Sequence, residues 1–155
     1  PEFENNLGTA YAATKQWDLA IPYFQKAADN YLYRTRHVAY DNLGSVYHNK
    51  GDYRRAIDNY KKAAEFNKDY APAYLNMGVS YEALKEWDNA IAVYKRAAEI
   101  EPASALPFLQ MGDLYLRLNR QEAAVESLLI AITNDPNGPY GKAARSLLAT
   151  TRKGK

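Results

Sequence analysis

Gly8, Gly44, Gly78 and Gly112 stand 36, 34 and 34 residues apart, and the same residues recur around each of them. Three places on comes a tyrosine: Tyr11, Tyr47, Tyr81 and Tyr115. Twelve places on comes an alanine (Ala20, Ala56, Ala90, Ala124), and seven further another (Ala27, Ala63, Ala97, Ala131). A period near 34 residues marks a stack of small units, each unable to bury its own apolar face, rather than one closed globule. Such a stack works by binding along a surface, and no cleft has to exist.

Bulk properties narrow the function classes. The 155 residues carry 20 basic and 18 acidic side chains, a net charge of +2, without the clustered basic face that nucleic-acid binding needs. With no cysteine there is no disulfide, thiolate metal site or cysteine nucleophile. The apolar runs are short, Leu128 to Ile132 among the longest, so no segment is expected to span a membrane. Two histidines, His37 and His48, stand in different contexts. No phosphate loop, Ser/His/Asp set or metal-ligand spacing accompanies them. The expectation is no enzyme, no catalytic residue, no metal and no cofactor.

The opening Pro1-Glu2-Phe3 lacks an initiator methionine, and Glu-Phe is what an EcoRI site encodes. Residues 1–3 therefore read as a cloning scar, with the native chain extending upstream of Glu4.

The third unit shows the local grammar. Asp69 is placed to cap a helix whose first turn holds Pro72, where a missing amide hydrogen costs nothing. Tyr74, Met77, Gly78 and Tyr81 then share one helical face. A second stripe of Trp87, Ala90, Ile91, Tyr94, Ala97 and Ala98 follows, and Pro102 stops it. This is a helical hairpin, and no segment alternates as a strand would. A glycine inside a helix costs about 1 kcal/mol against alanine. Close approach of paired helices would offset it, with Ala20, Ala56, Ala90 and Ala124 as the matching small positions and the tyrosines filling the space beside them.

The pattern resembles the tetratricopeptide repeat family, whose motif sets Leu-Gly, Tyr, Ala, an aromatic, Ala and Pro at fixed offsets. The first unit has Leu7-Gly8, Tyr11, Ala20, Phe24 and Ala27; the second has Leu43-Gly44, Tyr47, Ala56, Tyr60 and Ala63. The third has Met77-Gly78, Tyr81, Ala90, Tyr94, Ala97 and Pro102; the fourth has Met111-Gly112, Tyr115, Ala124, Leu128, Ala131 and Pro136. The resemblance implies an all-α fold, a right-handed superhelical α-solenoid of four helix-turn-helix repeats. These are expected at residues 4–34, 37–70, 71–104 and 105–138, with a C-terminal capping helix at 139–151 and a basic tail at 152–155.

In this family the first helix of each hairpin lines a concave groove. The residue before each Leu-Gly or Met-Gly pair faces it: Asn6, Asn42, Asn76 and Gln110. A carboxamide carries both donors and an acceptor, so a ladder of them suits the backbone of an extended peptide. Early groove positions are polar (Asn5, Thr9, Asp41, Ser45, His48, Asn49), and late ones are apolar (Leu75, Val79, Leu109, Leu116). Those apolar residues would anchor a partner, unless a terminal helix or a second copy of the chain fills the groove. One branch of the family clamps a C-terminal carboxylate with lysine and arginine. The matching positions here hold Asn5, Asp41 and Leu75, which excludes that mode. Asp41, Asp113 and Glu82 would favour a basic side chain instead, with Arg117 one turn from Asp113 to neutralise it.

The interval of 36 falls at Asn30 to Ala39. It resembles a junction in the tetratricopeptide lipoproteins that support type IV pilus biogenesis, through Asn30, Leu32, Tyr33, Thr35, Ala39 and Asn42. The prolines of that branch are replaced by Tyr31, Arg34 and Arg36. This branch implies a bacterial periplasmic lipoprotein at the outer membrane that helps a secretin ring assemble, with Leu32, Tyr33 and His37 partly exposed. Outside it the expected compartment is the cytoplasm. The leading expectation is a scaffold for a protein or peptide partner; a self-assembling homo-oligomer, or an adaptor domain of a larger chain, is the alternative.

Overall fold

A computed structural model describes residues 1–151; the basic tail at 152–155 lies outside the described residues. Within them the elements are α1 (Glu2–Ala13), α2 (Trp17–Asp29), α3 (Arg36–Asn49), α4 (Tyr53–Phe66), α5 (Ala71–Ala83), α6 (Trp87–Ile100), α7 (Leu106–Arg117), α8 (Gln121–Asn134) and α9 (Pro139–Thr151). No strand occurs among the described residues. The chain divides into two compact units, Pro1–Glu86 with α1 to α5, and Trp87 onward with α6 to α9.

One device ends α1, α3, α5 and α7. Lys15, Gly51, Lys85 and Asn119 take left-handed backbone conformations, with φ of 59°, 81°, 60° and 57°. The next residue then donates its N–H to the tyrosine carbonyl five places back: Gln16 to Tyr11, Asp52 to Tyr47, Glu86 to Tyr81, and Arg120 to Tyr115, at 2.8–2.9 Å. This is the Schellman closure of a helix, which satisfies carbonyls the last turn would orphan. Asp52 adds a side-chain cap on α4, accepting from the Arg55 N–H at 3.1 Å. At α5 the capping residue is Tyr70 rather than Asp69, whose own N–H donates to Asn67 Oδ1 in the turn ahead. Pro72 occupies the first turn as expected.

The repeated glycines have a different partner from the expected alanines. A Cβ on Gly8 would stand 2.8 Å from the Phe24 ring, and one on Gly44 would collide with the Tyr60 ring. On Gly112 it would lie 2.6 Å from Leu128. Each helix of a pair thus receives a bulky side chain sixteen residues on. The alanines at the two recurring positions are all fully buried. Tyr11 and Tyr47 are half-buried, whereas Tyr81 and Tyr115 are buried.

In the first unit, Phe24, Tyr33, Tyr40, Leu43 and Val46 build the core with Ala20, Ala27, Ala28 and Ala39. The two added residues form a turn at the α2–α3 junction. Asn30 Oδ1 accepts the Leu32 N–H at 2.9 Å, and the Tyr33 N–H returns to the Asn30 carbonyl at 3.0 Å. That turn drives Tyr33 into the core, so its expected exposure is corrected: only 8% of it remains accessible. Leu32 is 71% exposed, and His37 is half-buried with its ring edge-on to Tyr70 at 4.9 Å. Arg36 donates to the Ala28 carbonyl at 2.6 Å and lies over the Phe66 ring.

In the second unit, α9 is seated by Asp135, whose Oδ2 accepts the N–H groups of Tyr140 (2.9 Å) and Gly141 (3.2 Å). Side-chain capping of this kind satisfies first-turn donors. Leu147 and Leu148 of α9 join Leu109 and Leu116 of α7 and Ile132 of α8 around a buried centre of Ala105, Leu128, Ala131 and Ala144.

Candidate functional site

The groove positions of α3 and α5 lie together in the first unit. Ser45, Asn76 and Val79 line one cavity of about 190 Å³ with His48, Asn49 and Tyr60. Val79 is 38% exposed there. Part-buried polar contacts tie α1, α3 and α5 together. Asn76 Nδ2 donates to Asp41 Oδ1 at 3.0 Å, and Asn42 Nδ2 donates to Asn5 Oδ1 at 3.1 Å. Two rungs of the expected carboxamide ladder therefore stitch one hairpin to the preceding one, each through one N–H. Asn6 is exposed, and Gln110 is half-buried on α7 in the second unit.

Asp41 is 8% exposed, and this corrects its reading as a surface charge facing a partner. Burial raises its carboxyl from 3.8 to about 6, against the opposing pull of hydrogen bonds from Asn76 and Tyr70. Tyr70 is pushed up to about 12 by its own burial and by the Asp41 charge. The Tyr60 hydroxyl donates to Ser45 Oγ at 3.3 Å, and burial raises its pKa as well. His48 Nδ1 lies 2.8 Å from Ser80 Oγ, and that hydroxyl donates to the Asn76 carbonyl at 3.1 Å. Ser80 and Tyr60 were not anticipated. A buried serine is marked in a sequence only by standing on the core side of its helix.

The equivalent face of α7 is closed. Leu109, expected as a free anchor, packs with Leu116, Leu147 and Leu148, because α9 returns across α7 and covers the apolar stripe. Asp113 is paired with Arg117 at 3.2 Å, and partial burial raises its carboxyl. Leu75 is half-buried on α5. The second unit also holds a cavity of about 550 Å³, walled by Ala98, Phe108, Met111, Tyr115 and Ile130 and by the charged Lys95, Glu99 and Glu126. Among the described residues no helix is long and apolar enough to cross a membrane.

Helical hairpins repeated in one register, with a bulky side chain over Gly8, Gly44 and Gly112 and a left-handed turn between helices, define an all-α repeat fold of the protein-interaction class. The chain belongs to the tetratricopeptide repeat family, whose matches cover residues 2–69, 71–104 and 107–137. It shares that solenoid fold with solved structures. One crystal structure of MamA protein aligns with TM-score 0.76 and 27% identity over 87% of this chain and 73% of that one. A second MamA structure aligns at 0.74 with 20% identity, over 95% and 97%. The first tetratricopeptide domain of Spaghetti (RPAP3), bound to the HSP90 peptide SRMEEVD, aligns at 0.69 with 23% identity, over 76% and 91%. In sequence, 69 residues are 41% identical to the BBSome complex member BBS4 of Bos taurus. That stretch is 44% of this chain and 12% of the relative.

Proposed function

We propose that this protein is a non-catalytic scaffold that holds an extended peptide or partner helix along the groove positions of α3 and α5. The observation that carries this is the open cavity at Ser45, Asn76 and Val79, whereas the corresponding apolar positions of α7 pack with α9. The same fold in RPAP3 accommodates a peptide, but Asn5, Asp41 and Leu75 stand where the carboxylate clamp needs lysine and arginine, so a peptide read through its free C-terminus is not the expected partner. The test is selection of binders from a displayed random-peptide library. Val79→Arg, which fills the cavity mouth, should then weaken the selected peptides about tenfold or more, equal to about 1.4 kcal/mol. Peptides that ignore Val79→Arg but respond to Gln110→Arg would move the site to α7.

A second reading attaches to the junction, where Tyr31 and Leu32 are 83% and 71% exposed. Its likeness to the pilus lipoproteins supports a role in secretin assembly, now carried by Leu32 and the flanking Tyr31, with Tyr33 serving the core. A lipoprotein signal encoded ahead of Glu4 is the expected outcome, and a native start without one would remove this reading. Self-association is tested by sedimentation across concentration. Leu109→Glu would not isolate self-association, because the same substitution would loosen α9.

A further inference from the structure

We propose that the α3–α5 cavity receives one lysine side chain of the partner, its ammonium on His48, Asn49 and Asn76 and its methylene stem along Val79. This rests on the scaffold reading and specifies the chemistry recognised at one point of it.

The hydrogens around the cavity decide what it can hold. Ser80 is fully buried, and its single hydroxyl hydrogen is committed to the Asn76 carbonyl. Its oxygen must therefore accept from His48, which places the imidazole hydrogen on Nδ1. Nε2, the remaining polar atom of a ring that lines the cavity, is then a bare acceptor. Burial holds the His48 pKa below its ordinary value, which keeps the ring neutral near pH 7. Asn49 Nδ2 donates to the Ser45 carbonyl at 2.7 Å, leaving its Oδ1 open. Asn76 spends one N–H on Asp41 and likewise keeps Oδ1 open.

The three residues that carry these acceptors line a space of about 190 Å³ that no cationic residue lines. Three hydrogens oppose the acceptors, on Ser45 Oγ, Asn49 Nδ2 and Asn76 Nδ2. The first can turn onto its own helix, as serine hydroxyls do. A carboxylate guest would meet lone pairs, and a hydrocarbon would leave the three acceptors dry. An ammonium brings three donors and no acceptor. The Asp41 carboxylate behind Asn76 adds favourable charge, and Val79 offers an apolar wall for a side-chain stem.

The test is an NMR titration with doubly blocked lysine (Nα-acetyl-lysine N-methylamide), beside blocked norleucine and blocked Nε-acetyl-lysine. The lysine probe should shift the amide resonances of Ser45, His48 and Asn76 saturably, about fivefold or more tighter than either control, equal to about 1 kcal/mol. Asn49→Leu, at an exposed position that leaves the fold intact, should reduce that preference, and His48→Phe should abolish it. Equal affinity for lysine and norleucine, or shifts confined to other residues, would overturn the site. Selected peptides that bind the α3–α5 face without preferring lysine would also overturn it while leaving the scaffold reading in place. Docking of the lysine probe with no peptide binding the face would do the reverse.

Discussion

The groove faces of α3 and α7 occupy the same place in their repeats and have opposite fates. On α3 the face carries Asp41, Asn42, Ser45 and Asn49, underlain by hydrogen bonds to α1 and α5. On α7 it carries Leu109, Gln110, Asp113 and Arg117; its leucines lie beneath α9, and its two charges close on each other. The skeleton of glycine, bulky side chain and alanine is shared, so it cannot be what decides availability. The following element does: α5 brings Asn76 and Val79 to a cavity with Ser45, His48 and Asn49, whereas α9 brings Leu147 and Leu148 onto the buried centre that Leu109 and Leu116 share.

The contrast can be broken most severely on the covered side. A Cβ on Gly141 would fall on the Asp135 backbone carbonyl. Gly141→Ala should therefore lift α9 and destabilise the second unit by about 3 kcal/mol, the upper end for overpacking. Faster amide exchange through α9 and dye binding at Leu109 and Leu116 would register it, with the α3–α5 region unmoved. Slow exchange throughout α9 would show that the helix is held some other way.

On the open side, the buried Asp41 carboxyl titrates near 6 rather than 3.8. The folded protein keeps this proton where the unfolded chain has lost it. The stabilisation is complete below pH 4 and disappears as pH rises through 6, a loss of up to about 3 kcal/mol. Asp41→Asn should flatten that difference when urea midpoints are compared at pH 4.5 and 7.5; parallel profiles would contradict the assignment. Asn76→Ala, which strips a donor from the same carboxylate, should cost about 2 kcal/mol at pH 7.5, and Asn42→Ala, whose partner is a neutral amide, about 1 kcal/mol. Equal losses would mean that the Asp41 charge adds nothing to its bond.

The smallest effect sharpens the comparison by leaving both faces alone. Lys15 holds a left-handed conformation that costs a non-glycine residue about 1 kcal/mol. Lys15→Gly should raise stability by about that amount, and Gly51→Ala should lower it similarly, both without effect on peptide binding.

Much of the fold was legible because the repeat copies its own instructions. Four registers of glycine, tyrosine and alanine located every hairpin, and Pro72, Pro102 and Pro136 marked helix ends. The closing turns were not legible. Lysine occupies two of the four left-handed positions, and nothing about Lys15 or Lys85 announces that backbone. The site was half legible. Ser45, Asn76 and Val79 could be placed on one face by spacing, but their fate depended on contacts about one period away. Asn76 reaches Asp41 and His48 reaches Ser80 across the stack, and such pairs look unrelated along a chain. The glycine partners are hidden for a related reason: Phe24 and Tyr60 stand sixteen residues from Gly8 and Gly44, and only the folded pair brings them together. Burial of Tyr33 followed from the Asn30 turn, which an apolar count in a loop does not reveal.

The seating of α9 has a consequence for anything that would compete for α7. Only Asp135 to Gly138 separate α8 from α9, so the covering helix is a tethered ligand. Short tethers hold their cargo at an effective concentration on the order of millimolar. A free peptide with the same intrinsic affinity, supplied at ~10 μM, would then occupy that face in roughly one molecule in a hundred. The covering helix thereby sets a threshold: a partner reaches α7 only by binding far more tightly than α9 does.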